Sequence, residues 1–169
     1  MIEIDIAVEE PSWDSTCPDY ESLVRRAVDL VFLHSPIARD LTAAGVEPEI
    51  SVVLANDDAV HELNRDYRDK DKPTNILSFA MQDGEDGWEA PEHPGPCALG
   101  DLVVAFETVE REAAAESKPF SDHLTHLIIH GTLHLLGYDH MDDADAEAME
   151  SLEIQILSTI NIKNPYTET

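Results

Sequence analysis

Residues 123–140 read HLTHLIIHGTLHLLGYDH, which places His123, His126, His130, His134 and His140 in one short segment of a chain with eight histidines in 169 residues. The segment predicts a helix from about Ser121 to Leu136, stopped by Gly137. A lone helical histidine is usually a core or surface residue; this density asks for another role. Neighbours at i and i+4 on a helix have Cβ atoms ~5–6 Å apart, which lets two imidazoles meet one ion through Zn–N bonds of ~2.0–2.1 Å. Residues at i and i+8 are ~12 Å apart along the axis, so His126, His130 and His134 cannot share an ion on one straight helix. A third ligand has to come from chain that turns back, and His140 follows the Gly137 bend. The expected set is His130, His134 and His140 around one zinc ion per chain. Three protein ligands leave a fourth tetrahedral position for water, as in catalytic rather than structural zinc sites. His126, one turn before His130, is a candidate for supporting a ligand or touching substrate, and equally for a buried structural histidine.

On either side of this segment the pattern is helical, from Glu107 to Ser117 and from Asp142 to about Ile160. Leu99–Phe106 (LGDLVVAF), residues 75–80 (NILSFA), residues 49–56 (EISVVLAN) and residues 2–8 (IEIDIAV) read as strands. Helices are expected over residues 19–34, residues 37–44 up to Gly45, and from a cap at Asp57 or Asp58 to about residue 67. Pro11 and Pro18 bracket a loop, and the Gly, Pro and acidic residues of 81–98 predict a long one. No repeat or linker divides the chain. The expectation is a single α+β domain over residues 1–169, with a small mixed sheet of about four strands and a helical C-terminal half that carries the metal site.

The chemistry is narrowed by what is missing. The zinc peptidase motif HExxH puts a general-base glutamate after its first histidine, and Gly131 stands there. Such a hydrolase has to find its nucleophile in metal-activated water, in another residue, or in the substrate, as the 2′-hydroxyl of RNA allows. Arg65, Arg68, Lys70 and Lys72 are four of only ten cationic residues in a chain of net charge −26. Read as a solvated helix end they do little; read as an anion clamp, Arg68 offers a planar fork to phosphate. Arg68 and His134 are the candidate catalytic residues. The acidic balance argues against a membrane-surface protein or a nucleic-acid coating protein, though a nucleic-acid enzyme with a local basic site is compatible with it. Cys17 and Cys97, with no CxxC spacing, read as ordinary reduced thiols. With no apolar stretch of membrane length, the expectation is a soluble cytoplasmic protein.

The string HGTLHLLGYDH (130–140) resembles the pattern HGxLHLxGYDH of the YbeY family of bacterial metal-dependent endoribonucleases. Leu63-Asn64 to Arg68, then residues 72–79 (KPTNILSF), and Leu99-Gly100-Asp101-Leu102 are similar to further stretches of that family, with Ala80 where the family often has proline. The similarity reads from about residue 52 to about residue 155 and only loosely over the first 48. The resemblance implies zinc at His130, His134 and His140, Arg68 as a functional arginine, and a cytoplasmic single-strand-specific endoribonuclease. It also implies action in ribosomal RNA maturation at the 16S 3′ end and in ribosome quality control, with ribosomal RNA and the ribosome or its associated proteins as partners. Two rivals stand beside it: a metallopeptidase-like hydrolase, and a non-catalytic ribosome-assembly factor with a structural metal.

Overall fold

The computed structural model describes residues 2–84, 87–91, 93–139 and 142–166. From the N-terminus, β1 (Glu3–Val8) is followed by α1 (Ser12–Thr16), α2 (Tyr20–His34) and α3 (Pro36–Ala43), which cross over to β2 (Val46–Ala55). Next come α4 (Asp57–Arg68), β3 (Ile76–Ala80), a hairpin of β4 (Asp83–Gly84) and β5 (Gly87–Trp88), and β6 (Gly95–Ala105). The C-terminal half is helical: α5 (Phe106–Ala115), α6 (Phe120–Leu135) and α7 (Asp143–Ser158). The main sheet has the order β1-β2-β6-β3; β1 and β6 run parallel to β2, while β3 is antiparallel to β6 and forms an edge. This is the single α+β domain with a four-stranded mixed sheet that the pattern predicts.

Alternation along the strands sends Ile50, Val52, Leu54, Leu102 and Val104 to one face, where they share a core with α2 and α6. Val103, Ala105 and Leu77 face the other way, against Val60 of α4. Helix α6 is apolar on nearly every side because the sheet, α2, α5 and α7 surround it: Leu124, Ile128, Ile129, Leu133 and Leu135 are all fully buried. Each such side chain contributes about 1.5–3 kcal/mol relative to exposure. The helix that carries the histidines is therefore among the most firmly held parts of the fold.

Three local expectations are corrected. Between Pro11 and Pro18 the chain forms α1, because Pro11 sits at the helix start, where a missing N–H costs nothing, and Trp13 is fully buried with its indole N–H donating to the Ala55 carbonyl at 2.9 Å. The cap of α4 is Asn56, whose side chain accepts from the Ala59 N–H at 2.9 Å. Asp57 instead accepts from the Thr108 N–H and hydroxyl and pairs with Arg111 at 2.9 Å, tying α4 to α5. The long loop of 81–98 is also shorter than its composition suggests. It contains the β4–β5 hairpin, and Gly95–Ala98 already pair with β2. Pro96 is tolerated because β3 pairs with β6 only over Gly100–Val104, so that among the described residues no second strand pairs with Pro96 besides β2.

Candidate metal centre

Helix α6 sorts its four histidines by which neighbour each one meets. His123 is buried and its Nε2 lies 2.8 Å from a Glu112 carboxylate oxygen, a hydrogen-bond contact to α5; burial holds its pKa below the usual histidine value. His126 packs edge-on against Tyr166 and places Nε2 3.5 Å from Glu153 Oε1. His130 and His134 line a cavity of about 860 Å³ that also takes in Arg68, Lys70, Ser78, Trp88 and Asp139. His140 lies outside the described residues.

The two cavity histidines are oriented from behind. The Nδ1–H of His130 donates to Glu153 Oε1 at 2.6 Å, and the Nδ1–H of His134 donates to the Tyr138 carbonyl at 2.9 Å. Both partners are acceptors only, since Glu153 is ionised: burial pushes its carboxyl up, but contacts with His126, His130 and Tyr166 outweigh that and hold it down at about 2. The Tyr166 hydroxyl donates to Glu153 Oε2 at 2.5 Å and is itself kept protonated by burial and by that carboxylate. With both Nδ1 atoms protonated, the lone pairs sit on the Nε2 atoms, which converge at 3.1 Å. Two acceptors facing each other repel unless a cation or a proton lies between them. Two ligands on a tetrahedral ion with Zn–N bonds of ~2.0–2.1 Å stand about 3.3 Å apart, so the spacing fits a shared metal.

A second grouping competes for the ion: His126, His130 and Glu153 offer ligand atoms within 4.8 Å of one another. Magnitudes decide between the two. The 2.6 Å separation of His130 Nδ1 from Glu153 is a hydrogen-bond distance, too short for two ligands of one ion. Glu153 is therefore better read as the residue that fixes the His130 ring, in the manner of carboxylate–histidine–metal triads. On this geometry His126 lies against Glu153, its Nε2 3.5 Å from Oε1, and is not among the residues that line the cavity.

The basic segment divides. Arg68 and Lys70 line the cavity, whereas Arg65 is exposed and pairs with Asp66 at 3.2 Å. Among the described residues, Lys72 is not in the cavity wall; its carbonyl accepts from the buried Asn64 side chain. The Arg68 guanidinium donates to the Ser78 carbonyl on the open edge of β3 and lies 5.3 Å from the Phe79 ring centroid. One donor of the five is used in this way, which leaves most of the fork for an anion.

Gly131 explains the absent glutamate. A Cβ there would stand 2.8 Å from Leu102, 3.0 Å from Ile76 and 3.2 Å from Ser78, so this face of α6 rests on the sheet and a side chain there would have to displace Leu102 and Ile76. Gly137 meets a different demand, with φ +95° and a Cβ position 2.6 Å from the Trp88 ring. Glu153, Tyr166 and Trp88 are the site residues that motif reading misses. Glu153 had a signal: Met149, Leu152 and Ile156 share its helix face and are all buried, so a carboxylate stands at a core position.

An α+β domain with paired, oriented imidazoles and a cationic wall defines a candidate metallo-hydrolase. The chain belongs to the family described as Endoribonuclease YbeY, whose model matches residues 6–161. The match takes in most of the first 48 residues and so extends well beyond the stretch expected from motifs. The Endoribonuclease YbeY of Paramagnetospirillum magneticum is 47% identical over 168 residues, covering 99% of this chain and 97% of that protein. The protein of the same name from Rhizorhabdus wittichii is 48% identical over 170 residues, with 98% of each covered. That from Magnetococcus marinus reaches 55% over 121 residues, covering 70% of this chain and 82% of its own length.

Proposed function

We propose that this chain is a metal-dependent endoribonuclease that cuts single-stranded RNA in the maturation of ribosomal RNA, with one zinc ion held by His130, His134 and His140. The observation that carries the reading is the convergence of the His130 and His134 Nε2 atoms at 3.1 Å in a cavity shared with Arg68 and Lys70. His140 enters as the third ligand by its place in the sequence, three residues past Gly137. When bound, the ion supplies Lewis-acid stabilisation of charge at the phosphoryl centre. Glu153 and the Tyr138 carbonyl hold the two imidazoles in the tautomer that ligates. Arg68 donates to the phosphoryl oxygens as their charge grows, and Lys70 adds a second positive charge to the same wall. The relatives' names point to the same activity; ribosomal partners, a part in ribosome quality control and a cytoplasmic location belong to the proposal as well.

The peptidase alternative meets two obstacles. The position of its general base, Gly131, faces the sheet, and Arg68 occupies a carbonyl on the β3 edge that an extended peptide would have to pair with. The test is incubation of the purified protein with labelled single-stranded RNA and with casein, each with and without chelator. Chelator-sensitive RNA cleavage with intact casein is expected. Casein hydrolysis would restore the peptidase, and inertness toward both substrates would favour a non-catalytic assembly factor.

A further inference from the structure

The cavity is larger than one phosphate needs. At about 860 Å³ it lies in the upper part of the ~300–1,000 Å³ range of small-molecule sites, which is room for a nucleotide with its base. The β4–β5 hairpin brings Trp88 into its wall, alongside the metal-facing histidines and the two cations. This indole is fixed at two points. Its Nε1–H donates to the Leu135 carbonyl at 2.9 Å at the end of α6, and its ring lies against Gly137, where a side chain would collide with it. Trp88 is only partly buried and lines the cavity. Tyr138 also lines the cavity, but its hydroxyl is tied to Ser35 at 3.0 Å. A large π surface, held rigid before the ligand arrives and sharing a cavity with cationic side chains, is what sequence-tolerant recognition of single strands uses.

Resting on the endoribonuclease reading, we propose that Trp88 is the stacking platform for a nucleobase of the RNA strand whose phosphate lies at the metal centre. The hairpin is then a substrate-binding element, and the wall that seals Gly137 also selects unpaired nucleotides. A base inside a duplex is already stacked on its neighbours and cannot lie flat on the indole. The platform accepts any base, because every base offers a π face.

The test is a tryptophan-fluorescence titration of the zinc-loaded protein with a 2′-O-methyl oligoadenylate of about eight nucleotides, checked for integrity afterwards. A strand of the same length without bases is the control. Trp13, the other tryptophan, is fully buried and serves as a constant background. The expected result is quenching by the oligoadenylate and none by the baseless strand. Affinity should fall roughly tenfold in Trp88→Leu and little in Trp88→Phe. Comparing the two strands on wild-type protein needs no variant, so a folding defect in Trp88→Leu does not rescue the idea. If the wild type cleaves RNA and binds the oligoadenylate with unchanged emission, and Trp88→Leu binds equally well, the platform is wrong while the endoribonuclease reading stands. If the wild type neither binds nor cleaves RNA, both fail.

Discussion

Glu153 is a carboxylate where the helix pattern calls for hydrocarbon, and its position explains it. It is fully buried, accepts from His130 and Tyr166, and turns the His130 lone pair toward the cavity. Glu153→Gln is expected to fold and to weaken metal binding about 10–100-fold, the usual scale for such supporting partners; a chelator-competition titration measures it. Unchanged affinity would mean that His130 is oriented by something else. For Arg68, replacement by alanine is expected to leave metal content intact and lower RNA cleavage by about 10²–10³, with little rescue by lysine, which lacks the planar fork. Full activity in Arg68→Ala would return this arginine to a structural role on the β3 edge. At this scale the sequence is uneven in what it discloses. His130 and His134 are legible because i, i+4 spacing is a local rule. The roles of Glu153 and Trp88 are not, because each depends on a contact made only after α7 and the hairpin have packed on α6.

Helix α6 and its bend are legible as an element because apolar periodicity, histidine spacing and Gly137 agree. The hairpin and the start of β6 are not, since Gly95, Pro96 and the surrounding acidic residues resemble a loop until β2 supplies the pairing partner. Gly131 shows how an element's packing sets chemistry. Installing the peptidase glutamate, Gly131→Glu, would force a charged side chain between α6 and the sheet. The expected outcome is a loss on the order of 3 kcal/mol or more in denaturant unfolding, without any gain of casein hydrolysis. A stable variant that hydrolyses casein would show that this face of α6 is open to the cavity after all.

The whole molecule carries a net charge of −26, and among the described residues the cavity wall offers Arg68 and Lys70 as its lysine and arginine cations. Free RNA is therefore expected to bind weakly, with a salt slope no steeper than about two phosphate contacts give at roughly −0.7 each. The proposed contacts with ribosome-associated proteins are expected to supply the remaining affinity in place. A titration of single-stranded RNA over a range of salt checks this; submicromolar binding at physiological salt with a steep slope would reveal a basic surface elsewhere. The composition announces this conflict, but only the fold shows that Arg65 and Lys72 stand outside the cavity wall. No helix among the described residues is long and apolar enough to cross a membrane. The ion is expected on the Nε2 side of His130, with His134, and not on the Nδ1 side with His126 and Glu153. Metal content per chain in the wild type, His134→Ala and His126→Ala, each confirmed as folded by circular dichroism, tests this directly. About one zinc is expected in the wild type, none in His134→Ala, and about one in His126→Ala. Full occupancy in His134→Ala together with loss in His126→Ala would contradict it.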